Sequence, residues 1–186
     1  MRRQQEKQLS QMKRHKANGH KPGAGRLQAA AMAAMTLAAA ACSSVDCPVQ
    51  NTVYTSYGLY KAGGERDTLR DTLTIATTRR DGTDSVLLNR SVNTTAFELP
   101  ISYTNPEDTL FFTVGDTLGN VRIDTVYIKK DNYPHFESVD CNISFFHNIT
   151  AVRWTRQSID SIVVNKQHVD YDASTEHFHI YFKARR

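Results

Sequence analysis

Beyond residue 50 the chain is patterned with a period of two. Leu73 and Ile75 alternate with Thr72 and Thr74, Leu110, Phe112 and Val114 occupy every second position, and Val121, Ile123, Thr125 and Tyr127 do the same after a polar break. Successive side chains of a strand point to opposite faces, so each run predicts a short strand with two distinct faces. Further strands are expected at Thr52 to Lys61, ahead of Gly63 and Gly64, at Asp84 to Arg90, and at Ser161 to Asn165. The Asp81-Gly82 turn makes Asp71 to Thr78 and Asp84 to Arg90 a hairpin. Asp116 to Asn120 joins the next two runs in the same way, and Asn105 to Asp108 reads as a turn. Phe97, Leu99, Ile101 and Tyr103 alternate around Pro100, a residue confined to sheet edges and bulges. Ile143 to Trp154 is long enough for a bent strand or two strands, and Lys129 to Asp140 is the least regular stretch. In the closing run, Glu176 to Lys183, Phe178, Ile180 and Phe182 face one way and His177, His179 and Tyr181 the other.

No apolar spacing of three to four residues persists after Ala41. The expected fold is therefore all-β: an antiparallel β-sandwich of about eight to ten short strands, with a small β-barrel as the alternative.

The first 42 residues are of another kind. A basic segment leads into the uncharged run Leu27 to Ala41 and then Cys42, the three parts of a secretory signal peptide ending in a site that resembles a bacterial lipobox. Ala39 stands where that motif usually has Leu, and Met12 offers a second start that shortens the basic segment. The run of 15 residues is shorter than the ~20 needed to span a bilayer. The expected organisation is a helical or disordered signal peptide at 1–41, a lipidated tether at 42–50 beginning with Cys42, and one domain at 51–186.

This division changes the meaning of the charge. The whole chain carries +4, yet eight of its 23 Lys and Arg fall before Cys42 beside a single acid, leaving 15 basic residues against 18 acidic ones. That balance excludes a general nucleic-acid-binding surface, which needs clustered positive charge. With Cys42 lipidated, Cys47 and Cys141 remain as an even pair in an oxidising compartment, and a disulfide between them is expected, the alternative being two buried thiols.

Candidate chemistry is sparse. Asp-Ser/Thr-apolar triplets recur seven times, with hydroxyls at Thr68, Thr72, Ser85, Thr109, Thr117, Thr125 and Ser161. They read either as strand-opening turn chemistry or as O-glycosylation acceptors, because the triplet resembles the one modified in exported proteins of Bacteroidota. His177 and His179 would share a face on a strand, so a third ligand such as His135 or His147 could complete a zinc site; two surface histidines are the simpler reading. Asp170 to Ser174 places oxygens at alternate positions like a calcium loop, but Thr175 stands where that motif needs Gly and Tyr181 where it needs Glu. Trp154, Tyr54, Tyr57 and Tyr60 could line a ligand or the core. Hydrolase and nucleotide signatures are missing, and no cofactor is called for.

Cys42 together with DCPVQNTVY (Asp46 to Tyr54), DTLTIATTRRDGTDSVLLN (Asp71 to Asn89), PHFESVDC (Pro134 to Cys141) and VDYDASTEHFHIYFK (Val169 to Lys183) resembles a family of small, uncharacterised Bacteroidota lipoproteins. The resemblance implies an exported, membrane-anchored protein and brings no catalytic residues with it. The functional expectation is a lipid-anchored binding or assembly module of the cell envelope, held in the outer membrane by Cys42 and partnered by another envelope protein. The alternative is a glycan-directed or metal-dependent envelope hydrolase.

Overall fold

Every alternating run becomes a strand in the computed structural model, which describes residues 47–48, 52–79 and 81–184. They belong to one compact unit, Asp46–Arg186, and among the described residues there is no helix. The leader and Cys42 lie outside the described residues.

The strands are β1 Tyr54–Leu59, β2 Thr72–Thr78, β3 Asp84–Ser91, β4 Ala96–Pro100, β5 Glu107–Gly115, β6 Val121–His135, β7 Ser144–Trp154, β8 Ile159–Val164, β9 His168–Val169 and β10 Phe178–Phe182. They form a four-stranded sheet in the order β4-β1-β10-β8 and a six-stranded sheet in the order β3-β2-β5-β6-β7-β9. The fold is all-β and sandwich-like. Pro100 ends β4, an edge strand, where its missing N–H costs no ladder bond.

One core lies between the sheets. Tyr57 of β1 stacks in register between Phe97 of β4 and Phe178 of β10, with ring centroids 4.8 and 4.9 Å away, and Phe97 reaches Phe112 of the six-stranded sheet at 6.1 Å. Leu73, Ile75, Val114, Val126, Ile128 and Ile149 complete the opposing side. Burying one such side chain contributes roughly 1.5–3 kcal/mol.

The structure departs from the sequence expectation in three places and at a fourth takes one of the two alternatives. The turn assigned to Asn105 to Asp108 is shorter, because Glu107 and Asp108 already pair with Lys129 and Ile128. Lys129 to Asp140 is not irregular throughout: β6 continues to His135, paired with β7. Pro134 is tolerated there because β5 stops pairing at Lys129 and leaves that edge of β6 outside the β5 ladder. The run Ile143 to Trp154 takes the bent-strand alternative: Ser144–Trp154 form a single strand, with Thr150 bulged opposite Lys129 and Lys130, and the bulge switches phase, so Ile149 before it and Val152 and Trp154 beyond it all pack on the core. Finally, β1 and β10 run parallel, with Tyr57 opposite Phe178 and Leu59 opposite Ile180, in an otherwise antiparallel fold.

Cys47 and Cys141 are bonded, with Cα atoms 5.4 Å apart, joining the approach to β1 to the loop between β6 and β7.

Candidate binding surface

On the central strands of the six-stranded sheet the core side is Leu73, Ile75, Phe112, Val114, Val126 and Ile128, so the alternate positions form the outer face. Its rungs are Thr74–Thr113–Ile123 and Ala76–Phe111–Thr125, with Val86 of β3 beside Ala76. Val121 and Ile123, which the alternation marks as an apolar stripe, therefore face outward, Ile123 with 53 % of its surface exposed, while β6 gives Asp124, Val126 and Ile128 to the interior. The outer face of an antiparallel sheet is ordinarily polar and charged. Here charge lies around the rungs: Glu107 pairs with Arg153 at 2.7 Å, the Arg153 guanidinium lies 3.7 Å from the Tyr127 ring centroid, Lys129 is exposed opposite Glu107, and β3 carries exposed Asp84 and Arg90. Leu118, 86 % exposed in the β5–β6 turn, adds an apolar side chain beside the Asp116 carboxylate that fastens that turn.

Beyond the β5 pairing, β6 and β7 continue as a paired arm with β9 on its β7 edge. One side carries an aromatic cluster closed on itself: His135 stacks on Phe146 at 4.1 Å, Tyr171 meets Phe146 edge-on at 5.0 Å, and Tyr133 Oη lies 2.7 Å from His168 Nδ1. On the other side Tyr103 stacks on Phe145 at 4.8 Å, and both line a pocket of about 240 Å³ with Thr52, Val53, Ile143 and His147.

Behind that pocket lies a buried polar network. Lys130 Nζ sits 2.8 Å from Asp108 and donates to Asn105 O. Asn132 donates to the carbonyls of Tyr103 and Asn105, so its Oδ1 is left to accept from His147 Nδ1 at 2.7 Å. Burial lowers the Lys130 pKa against the pull of Asp108. Burial, and next the Lys130 charge, brings that of His147 down to about 4, so the ring is neutral at physiological pH.

In six of the seven Asp-Ser/Thr-apolar triplets the Asp carboxylate holds a neighbouring group, and in the seventh Asp160 is exposed. Asp116 accepts from the amides of Leu118 and Asn120 in its turn, Asp84 from Thr78 Oγ1, Asp67 from the Thr68 amide, and Asp108 from the Ser102 amide. Asp71 lies 3.8 Å from Arg122. Asp124 is fully buried: Oδ1 takes Thr155 Oγ1 and the Gln157 amide, and Oδ2 takes the Ser158 amide, Ser158 Oγ and the Ile159 amide. Burial raises its pKa, and these hydrogen bonds overcome that, so the net shift is downward. Of the seven hydroxyls, Thr68 and Thr117 are exposed outside the strands, whereas Thr72, Ser85, Thr109, Thr125 and Ser161 lie half-buried within strands.

The histidines do not converge. His177 precedes β10, where period-two alternation no longer applies; it is buried, and its Nδ1 accepts the Ser56 amide at 3.0 Å. His179 lies over Tyr60 at 4.3 Å and 3.4 Å from Glu176. His135 and His147 sit on opposite sides of the arm. Among the described residues no group of three or more His, Cys, Asp or Glu is placed to hold a metal ion. At the calcium-like loop Lys166 donates to Asp172 O and lies 3.6 Å from Asp170, so an ammonium stands where a bound cation would. Trp154 packs against the core, Tyr54 is half-buried and Tyr57 is core.

Glu176 is the most enclosed acid of the four-stranded sheet's outer side. It pairs with Arg66, accepts from Tyr60 Oη at 2.8 Å and lies across Gly58, where a side-chain methyl would overlap its carboxylate. Gly58→Ala is therefore expected to lose roughly 1–3 kcal/mol in urea denaturation by displacing that carboxylate. The same change in a Glu176→Ala background is expected to cost under about 0.5 kcal/mol; an equal loss in both backgrounds would place the strain elsewhere.

No curated protein and no solved structure is significantly similar to the chain. A family of unknown function, DUF6452, matches residues 72–182. The matched region runs from the first residue of β2 to the last of β10, leaving out β1 even though β1 lies between β4 and β10. Since the match takes in more than half of the sequence, the chain belongs to the DUF6452 family.

Proposed function

We propose that this protein is a lipid-anchored binding or assembly module of the cell envelope, of the kind found among Bacteroidota lipoproteins, which holds the outer face of its six-stranded sheet against another envelope protein. The observation that carries the reading is the partly apolar outer face built on Ala76, Phe111, Val121 and Ile123. Exposed apolar patches of this kind mark interaction sites. Acylation of Cys42, at the end of a signal-peptide-like leader, supplies the anchor and confines the domain to the membrane surface.

Two measurements test this. The intact mass of the protein from fractionated membranes is expected to show a chain beginning at an acylated Cys42, and an unmodified Cys42 would refute the anchor. A photo-cross-linking residue at Ile123 is expected to give one defined protein adduct in membranes that is lost in a Phe111→Lys variant. Labelling no stronger than from Asp160, on the other sheet, would refute the docking face. The same mass spectrum reads the O-glycosylation proposal, for which Thr68 and Thr117 are the accessible acceptors.

A further inference from the structure

We propose that the loop at 136–143 is a membrane-contacting tip that seats the domain on a lipid surface of low negative charge. The proposal rests on the lipid-anchor reading above and adds a second contact to it. Phe136, Val139 and Ile143 are 61, 98 and 48 % exposed within eight residues, and the loop joins the paired ends of β6 and β7, where His135 lies opposite Ser144. Cys141, in the same loop, is bonded to Cys47 with Cα atoms 5.4 Å apart. Cys47 follows Cys42 by five residues, a span of at most about 18 Å for extended chain. The disulfide therefore gathers the most exposed apolar side chains of the loop to the part of the domain that an acyl chain on Cys42 would hold against the bilayer.

Three apolar side chains make a weak membrane contact alone, but attached to an anchored chain they act at high effective concentration, so a small gain per side chain orients the domain. Glu137 and Asp140 lie between them. Those acids stay hydrated at headgroup depth and are repelled by anionic lipid, which sets both the depth of contact and the preferred surface.

The test uses the full, processed protein reconstituted in phosphatidylcholine vesicles, with a fluorescent amino acid at Val139 or, as control, at Leu118 at the opposite end of β6. The Val139 probe is expected to shift to the blue and to be quenched by lipids with brominated acyl chains about threefold more than the Leu118 probe. Phe136→Ser with Ile143→Ser, or replacing half the lipid by phosphatidylserine, is expected to remove most of that difference. Equal quenching at both positions in protein that floats with the vesicles overturns the tip and leaves the anchor standing. Protein that fails to float, with Cys42 unmodified, overturns both. A blue shift that needs added envelope protein and no lipid quenching assigns the loop to a protein partner and also overturns the proposal.

Discussion

Replacing Cys141 with Ser, or reducing the bond to Cys47, is expected to lower the unfolding free energy by about 4–5 kcal/mol, the chain-entropy value for a loop of this length. The bond closes 94 residues of chain, a stretch that includes β1 to β6. Its effect falls on the unfolded ensemble, so the folded sheets are expected to persist in the reduced protein while the urea midpoint drops. Cys47→Ser and the double variant are expected to match the single Cys141→Ser change, because each removes the same constraint. A loss below about 1 kcal/mol would show that the reduced, denatured chain already keeps these segments close.

Asp124→Asn is expected to cost about 3 kcal/mol, since hydrogen bonds to a buried charged group are each worth more than neutral ones and an amide nitrogen would face donors here. Its carboxylate gathers consecutive amides of 157–159, fixing the turn that hands the chain from β7 to β8 and so from one sheet to the other. The pH dependence follows from the direction of the shift. A carboxyl whose pKa is lowered by folding adds stability that is complete above its ordinary value near 4 and is lost as pH falls toward the lowered one. The gap between wild type and Asp124→Asn, followed by urea midpoints from pH 8 to pH 3, should therefore hold steady above pH ~4 and narrow below it. His147 contributes a separate decline in both proteins between pH 6.5 and about 4, because the unfolded chain takes up that proton first. A constant gap down to pH ~3 would mean that Asp124 acts through shape rather than charge.

The strands that follow simple alternation were legible in the sequence: Leu73 with Ile75, Phe112 with Val114, and the Asp-Gly turn between β2 and β3. Pro100 announced an edge. What alternation hid was polar burial. Lys130 and Asn132 occupy inward positions because Asp108 and His147 satisfy them, and residues of that kind read as loop when no partner is visible. The short β9 offers two residues, too few for any period. The partly apolar outer face was in plain view as Val121, Ile123 and Tyr127, but a pattern gives periodicity without saying which side meets the core; the bulge at Thr150 and the tie of Asp124 to the β7–β8 turn decide that through contacts distant in sequence. Asp124 itself was visible as one more Asp-Thr-Val triplet, and nothing local separated it from the turn-forming copies. The two-residue spacing of His177 and His179 misled because strand geometry begins only at Phe178.

The parallel pairing of β1 with β10 bears on how the chain comes into being. During synthesis the smaller sheet lacks an internal strand until β10 emerges, and meanwhile β1 and β8 carry unpaired edges beside an incomplete core. Loss of β10 would thus remove a central strand, and a ribosome stalled before it would present an aggregation-prone intermediate instead of a finished domain. Closing a contact between β1 and β10 also places this protein among slow-folding topologies, because the cost of closing so long a loop is met before the paired strands repay it.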